Sequence, residues 1–123
     1  MQQAIEEALK ADPNKVYPNP LVGCVIVKND KIIGRGYHKK FATNHAEVNA
    51  IESLESPVKN ADLYVTLEPC AHFGKNPPCV SAIIKSRMFK KVVIAVADPN
   101  KKAMGGIDAV SYTHLRAHET LPY

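Results

Sequence analysis

The 123-residue chain contains no tryptophan, only 7% aromatic residues and just three cysteines. So small and odd a cysteine count excludes a disulfide framework and is typical of metal binding or catalysis. No apolar run approaches the roughly 20 residues of a transmembrane helix, and the N-terminus lacks the basic start and apolar core of a secretory signal. We therefore expect a cytoplasmic protein that has no membrane partner.

A strong charge imbalance is also missing. Sixteen basic and 12 acidic residues leave a formal net charge of +4, which is spread along the chain. This surplus can favour a phosphorylated small ligand but is weak evidence for nucleic acid, so we expect no nucleic-acid partner. The length and an apolar content of 46% predict one ordinary globular domain.

Hydrophobic periodicity predicts the element order α-β-β-α-β-α-β. We expect helices over residues 1–10, 45–54 and 78–88, and strands over 21–27, 31–36, 62–66 and 91–97. The β-α-β-α-β part favours parallel pairing with right-handed crossovers. The fold class is then α/β, with three layers and a ligand site at one edge of the sheet.

Two short motifs concentrate the side chains that can bind a metal. His45 and Glu47 open the second helix, whereas Cys70 and Cys79 are separated by eight residues in a loop rich in proline. One imidazole and two thiols with a fourth position open are the donor set of a catalytic zinc site; a structural zinc is closed by four protein ligands. Cys24, in the first strand, is predicted to be a small core residue.

The pattern H-x-E followed by P-C…C is the signature of zinc deaminases that act on nucleobases. Zinc lowers the pKa of a bound water to about 7, so a nucleophile is available at neutral pH. Glu47 would take the proton of that water, protonate the ring nitrogen beside the attacked carbon and finally protonate the leaving amine. The motifs thus predict hydrolytic removal of an exocyclic amine.

The spacing of the cysteines narrows the class further. General cytidine and transfer-RNA adenosine deaminases have P-C-x-x-C, whereas the longer EPCAHFGKNPPC at 68–79 closely resembles the riboflavin-biosynthesis pyrimidine deaminases. So do PNPLVG at 18–23, HAE at 45–47 and DPN at 98–100, although Asn76 stands where that family usually has threonine. The resemblance covers nearly all of the chain before residue 110.

The resemblance implies a three-layer α/β/α cytidine-deaminase-like sandwich with a mixed sheet. Its substrate would be 2,5-diamino-6-ribosylamino-4(3H)-pyrimidinone 5′-phosphate, deaminated at ring C2. By position it implies zinc binding by His45, Cys70 and Cys79 and proton transfer by Glu47. It also implies substrate contacts for six further residues, namely Asn19, His38, His72, Lys75, Asp98 and Asn100.

The C-terminal segment departs from the family. Residues 110–123 resemble a translated sequencing adapter, so we expect a deaminase domain over 1–109 that is truncated at its C-terminal edge and lacks an edge strand. The family commonly adds a reductase domain that uses NADPH, which is absent here, and we expect a homo-oligomer of the intact protein. A nucleoside or transfer-RNA deaminase and a non-catalytic zinc-binding module are the alternatives, disfavoured by the cysteine spacing and by Glu47 respectively.

Overall fold

The computed structural model describes residues 1–70, 79–96 and, for the backbone alone, 116–119. In these ranges the helices are α1 (Gln2–Ala8), α2 (Pro13–Val16), α3 (Ala46–Glu52) and α4 (Cys79–Ser86). The strands are β1 (Gly23–Lys28), β2 (Lys31–Tyr37), β3 (Ala61–Leu67), β4 (Phe89–Val96) and β5 (Arg116–Glu119). The predicted elements are confirmed, and α2 and β5 are additional to them.

One mixed sheet has the strand order β2-β1-β3-β4-β5. β1 is antiparallel to both β2 and β3, while β3 pairs in parallel with β4. The hairpin between β1 and β2 turns on Asn29 and Asp30, both at positive φ (51° and 62°). Asparagine and aspartate tolerate this left-handed conformation, which two-residue hairpins with a type I′ turn require at both central positions.

Helix α3 lies very close to the sheet, and a glycine in β2 permits this. A Cβ added at Gly36 would overlap the backbone of Ala46 and Ala50. The contact brings the first turn of α3 directly onto the sheet. The core on this side combines α3, α4 and the inward residues of the central strands, including Cys24, Ile26, Leu63, Val65, Ile83 and Ile94.

Helix α1 covers the opposite face. A Cβ at Gly23 would overlap the backbone of Ala4 and Ala8. Cys24, the next residue, is the register partner of Gly36, and neighbouring residues of a strand point to opposite faces. The helices therefore flank the sheet on both sides, which confirms the predicted α/β/α layers. No helix within the described ranges is long and apolar enough to cross a membrane.

At the C-terminal edge, where we expected an edge strand to be missing, a later segment adds one strand to the sheet. The backbone of Arg116–Glu119 pairs in parallel with residues 91–94 of β4. The edge of a strand presents unpaired N–H and C=O groups, with which another extended segment can pair through its backbone. Such pairing does not require a native sequence, and the domain boundary at residue 109 stays a prediction.

Candidate metal centre and active site

Three elements bring the predicted metal ligands together. His45 is the N-cap residue of α3, Cys70 follows β3 and Cys79 begins α4. The start of α4 is fastened to the segment after β3, because the amide of Val80 donates to the carbonyl of Cys70 at 3.1 Å. The donor atoms of the two cysteines and the histidine all lie within 4.8 Å of one another.

The distances within this cluster suit a shared metal ion. Nδ1 of His45 lies 3.2 Å from Sγ of Cys79 and 3.7 Å from Sγ of Cys70. One imidazole nitrogen and two sulfurs are ligands that zinc accepts, and the set leaves a fourth tetrahedral position open. By the chemistry of its donors the cluster fits zinc, as the sequence predicted.

The two thiols are unequal. The pKa of Cys70 is lowered to about 4, chiefly because Cys79 donates a hydrogen bond to its sulfur, and His45 adds to this effect. The pKa of Cys79 is raised, first because its proton is held by Cys70 and then because the thiol is buried. The hydrogen bond with Cys70 also raises the pKa of His45. Without a metal, the site therefore holds one thiolate and one thiol.

Glu47 stands in the first turn of α3, two residues beyond His45, and is only 3% exposed. Its Oε1 is buried and has no hydrogen-bond partner among the described residues. Burial is the main reason that the pKa of Glu47 is raised to about 7. A buried carboxylate oxygen without a partner is costly, and its position beside the metal ligands suits a group that exchanges protons with a ligand.

Cys24 has a different environment. It is completely buried in the core beneath α3, and burial raises the pKa of its thiol well above the usual value. Within the described part of the chain, the group of side chains that can hold a metal consists of His45, Cys70 and Cys79, without Cys24. Its predicted role as a core residue is confirmed.

Of the six predicted substrate contacts, the structure places two beside the metal cluster. His38 is 2% exposed, and its ring meets that of His45 edge to face, with centroids 5.1 Å apart and planes at 89°. Nδ2 of Asn19 lies 3.2 Å from Nε2 of His38. The remaining four, His72, Lys75, Asp98 and Asn100, lie outside the described residues.

Asn49 is a residue that sequence reasoning missed. Its side-chain amide donates to the carbonyl of Tyr37 at 2.8 Å and to that of Asn44 at 3.3 Å. These bonds fasten α3 to the segment that leads into it from β2. The sequence offered only a weak indication of this role. Asparagine is not a strong helix former, so its presence in α3 one turn after His45, on the same side of the helix, suggests that its side chain makes a specific contact.

The comparisons with known proteins agree with this site. The model of the family described as the cytidine and deoxycytidylate deaminase zinc-binding region matches residues 1–96. A diaminohydroxyphosphoribosylamino-pyrimidine deaminase of Buchnera aphidicola from Acyrthosiphon pisum is 50% identical over 105 residues, which cover 85% of this chain and 70% of that protein. The corresponding deaminase of the Buchnera strain from Schizaphis graminum is 56% identical over 88 residues, or 72% of this chain.

Solved structures show the same fold. RibD of Acinetobacter baumannii superimposes with a TM-score of 0.88 at 45% identity, over 96% of this chain and 33% of that one. A deaminase/reductase of Thermotoga maritima gives a TM-score of 0.90 at 43% identity, over 97% and 34%. The matched part spans 59% of the Schizaphis-strain deaminase and 28% of the RibD protein of Bacillus amyloliquefaciens. The chain belongs to the cytidine and deoxycytidylate deaminase zinc-binding family, among the diaminohydroxyphosphoribosylaminopyrimidine deaminases.

Proposed function

We propose that the chain catalyses the hydrolytic deamination of 2,5-diamino-6-ribosylamino-4(3H)-pyrimidinone 5′-phosphate, a step of riboflavin biosynthesis. One observation carries the proposal: Glu47 is a buried carboxyl with one oxygen that has no partner among the residues the structure describes, and it stands two residues from His45, which forms the metal cluster with Cys70 and Cys79. The Buchnera relatives, which share half or more of their aligned residues with the chain, support the choice of substrate by their names.

In this proposal His45, Cys70 and Cys79 hold the zinc ion. When bound, zinc supplies Lewis-acid chemistry that makes a water nucleophilic at neutral pH. Cys79 and Glu47 are buried, whereas His45 and Cys70 are half-buried. The burial of Cys79 and Glu47 limits competing water on their side of the site, which strengthens electrostatic interactions there. The protein's own task is then to position the substrate and to move protons.

Glu47 is the group that moves the protons. In its ionised form the carboxylate accepts a proton from the attacking water at Oε1 and delivers it to the ring nitrogen adjacent to C2. A second proton passes from the added oxygen through Glu47 to the amine, the C2–N bond breaks and ammonia leaves, while C2 gains a carbonyl oxygen. A carboxyl suits both halves of this cycle because it can accept and return a proton within hydrogen-bond reach.

The substrate contacts remain part of the proposal. Asn19 and His38 are assigned to the pyrimidine side of the site because they lie beside the metal cluster. For His72, Lys75, Asp98 and Asn100 the support is their position in the family motifs. A lysine in the loop between the cysteines suits the phosphate group of the substrate.

The localisation, the oligomeric state and the domain arrangement of the intact protein are also proposals. We assign the intact protein to the cytoplasm and to a homo-oligomer. Among its relatives, the Thermotoga protein is named as both a deaminase and a reductase, which is the domain arrangement that the family resemblance implies. Light scattering of the purified chain measures its mass in solution. A strictly monomeric mass would contradict the proposal that these 123 residues take part in the homo-oligomer.

The direct test is ammonia release by the zinc-loaded chain. Four substrates are compared at equal concentration: the pyrimidinone 5′-phosphate, its dephosphorylated riboside, cytidine and a transfer-RNA anticodon stem. We expect release from the first and a sharp fall for the second, because groups that bind the phosphate are left unpaired without it. Faster release from cytidine or RNA would refute the substrate assignment, and zinc binding without release from any substrate would indicate a zinc-binding module.

A further inference from the structure

One backbone carbonyl next to the metal cluster accepts two side-chain hydrogen bonds. The carbonyl of Asn44 accepts from Nδ1 of His38 at 3.1 Å and from Nδ2 of Asn49 at 3.3 Å. That carbonyl belongs to the peptide bond that enters His45, the N-cap of α3. Two donors on one carbonyl fix the orientation of the peptide plane, and therefore the direction in which the His45 side chain leaves the backbone.

The partners of His38 define its tautomer. A carbonyl oxygen can only accept a hydrogen bond, so Nδ1 of His38 carries the proton that is directed at Asn44. In the neutral ring, Nε2 is then an acceptor, and the side-chain amide of Asn19 donates to it at 3.2 Å. Both ring nitrogens are thus bound to protein groups, and the ring is 2% exposed.

The ring of His38 also restrains the ring of His45 directly. The two rings meet edge to face at 89°, with centroids 5.1 Å apart. This is a favourable geometry for aromatic pairs, and it limits rotation of the His45 imidazole. One side chain therefore restrains both the backbone and the ring of a metal ligand.

We propose that His38 is a positioning residue for the zinc ligand His45. Through Nδ1 it holds the peptide before His45 and thereby the zinc ligand, and through Nε2 it orients the amide of Asn19, whose Oδ1 can accept from a substrate amine. The role through Nδ1 concerns metal binding alone. The role through Nε2 rests on the proposed deaminase function, because its test measures the affinity for the substrate.

Two substitutions separate the role of Nδ1 from the role of Nε2. In His38→Asn the side-chain amide nitrogen replaces Nδ1, which retains the donor to Asn44 and removes the acceptor for Asn19. In His38→Gln the amide oxygen reaches the place of Nε2, which retains the acceptor and removes the donor. Lys40→Ala, an exposed change two residues away, is the control for unspecific effects.

Zinc affinity is measured by competition with a chromogenic chelator, and the absorption spectrum of the cobalt-substituted chain reports the ligand geometry. We expect zinc affinity to fall about 10- to 100-fold in His38→Gln, as when other outer partners of metal ligands are removed, with an altered cobalt spectrum. His38→Asn also loses the ring contact with His45 but keeps the donor to Asn44, so its zinc affinity should fall clearly less than that of His38→Gln and its cobalt spectrum should stay closer to the wild type. In turnover, His38→Asn should raise KM about tenfold, the value of one hydrogen bond, while kcat changes little.

Asn49→Ala provides a second measurement that does not depend on the folding of the His38 variants. It removes the other donor to the Asn44 carbonyl and should also weaken zinc binding without raising KM. Wild-type zinc affinity in both His38→Gln and Asn49→Ala would overturn the proposal, as would a raised KM in His38→Gln with normal zinc binding. If the wild-type chain does not deaminate the pyrimidinone phosphate, the proposed function fails, and the zinc measurements still decide the positioning role.

Discussion

The backbone amide of Cys79 donates a hydrogen bond to Sγ of Cys70 at 3.1 Å. This bond adds to the hydrogen bond from the Cys79 side chain, which is the main reason that the pKa of Cys70 is lowered to about 4. Cys79, by contrast, keeps its proton. In the metal-free site Cys70 is already the thiolate that zinc needs, whereas Cys79 must lose its proton before it can bind zinc.

Zinc affinity should therefore rise with pH. The pKa of Cys79 is raised, so its thiol is protonated at neutral pH and must release a proton to bind metal. Displacement of the Cys79 proton alone makes the affinity rise about tenfold per pH unit, and the slope should be steeper towards low pH because His45, whose pKa is raised, must also lose a proton. Chelator competition between pH 6.5 and pH 8, corrected for the chelator, measures this slope. Cys24→Ala should bind zinc as the wild type does and show the same slope, and zinc loss in that variant would make Cys24 a ligand.

Glu47→Gln should retain zinc and lose most of the turnover. Glutamine fills the same space but cannot accept and return a proton, and such transfer typically contributes about 10²–10⁴-fold to the rate. Glu52→Gln, an exposed change in the same helix, is the matched control and should have the wild-type rate. Zinc content and kcat are measured on the same preparations. A near-normal rate in Glu47→Gln would remove Glu47 from the mechanism.

The contribution of the buried Glu47 carboxyl to the stability of the metal-free chain should fall as pH rises. The pKa of Glu47 is about 7 in the fold and near 4.5 in an exposed chain, so between these values the folded state keeps a proton that the unfolded state loses. The contribution of Glu47 falls across this range by up to about 3 kcal/mol and is constant above it. The lowered pKa of Cys70 acts in the opposite direction, so the effect of Glu47 has to be measured as a difference between variants.

Glu47→Gln removes that dependence. With a chelator present, the stability gained by Glu47→Gln over the wild type should be near zero at pH 4.5, increase up to pH 7 and then level off. Urea denaturation at pH 5, 6, 7 and 8 measures it, with Glu52→Gln giving a constant difference. A gain that does not change with pH would show that the carboxyl is ionised in the fold throughout.

Gly36→Ala should displace α3. The new Cβ would overlap the backbone of Ala46 and Ala50, which cannot rotate away as a side chain can. We expect a loss of at least about 1–3 kcal/mol, the usual cost of overpacking, together with lower zinc content because the displaced helix carries His45. Gly34→Ala, where the nearest atoms would lie at 3.0 Å, should cost less. Equal stability of the two variants in urea would contradict this account.

The residues that carry out the chemistry could be predicted from the sequence, whereas the hydrogen bonds that hold them in position could not. His45, Glu47, Cys70 and Cys79 are recognisable because zinc limits its ligands to a few residue types at characteristic spacings. The layers followed from periodicity. The hydrogen bonds of His38 and Asn49 to the Asn44 carbonyl could not be predicted, because every residue type has a backbone carbonyl and the sequence does not show which one accepts a bond. Backbone pairing of Arg116–Glu119 was missed for the same reason, because it depends on a vacant sheet edge.

The three metal ligands come from positions far apart along the chain. His45 is separated from Cys70 by 25 positions and from Cys79 by 34, so bound zinc closes loops that the unfolded chain would leave open. Ligand binding to the folded state alone stabilises it in proportion to the logarithm of the free ligand concentration. The lifetime of this protein should consequently follow the zinc supply of its surroundings, and zinc starvation should expose it to proteolysis before it impairs catalysis in the molecules that remain loaded.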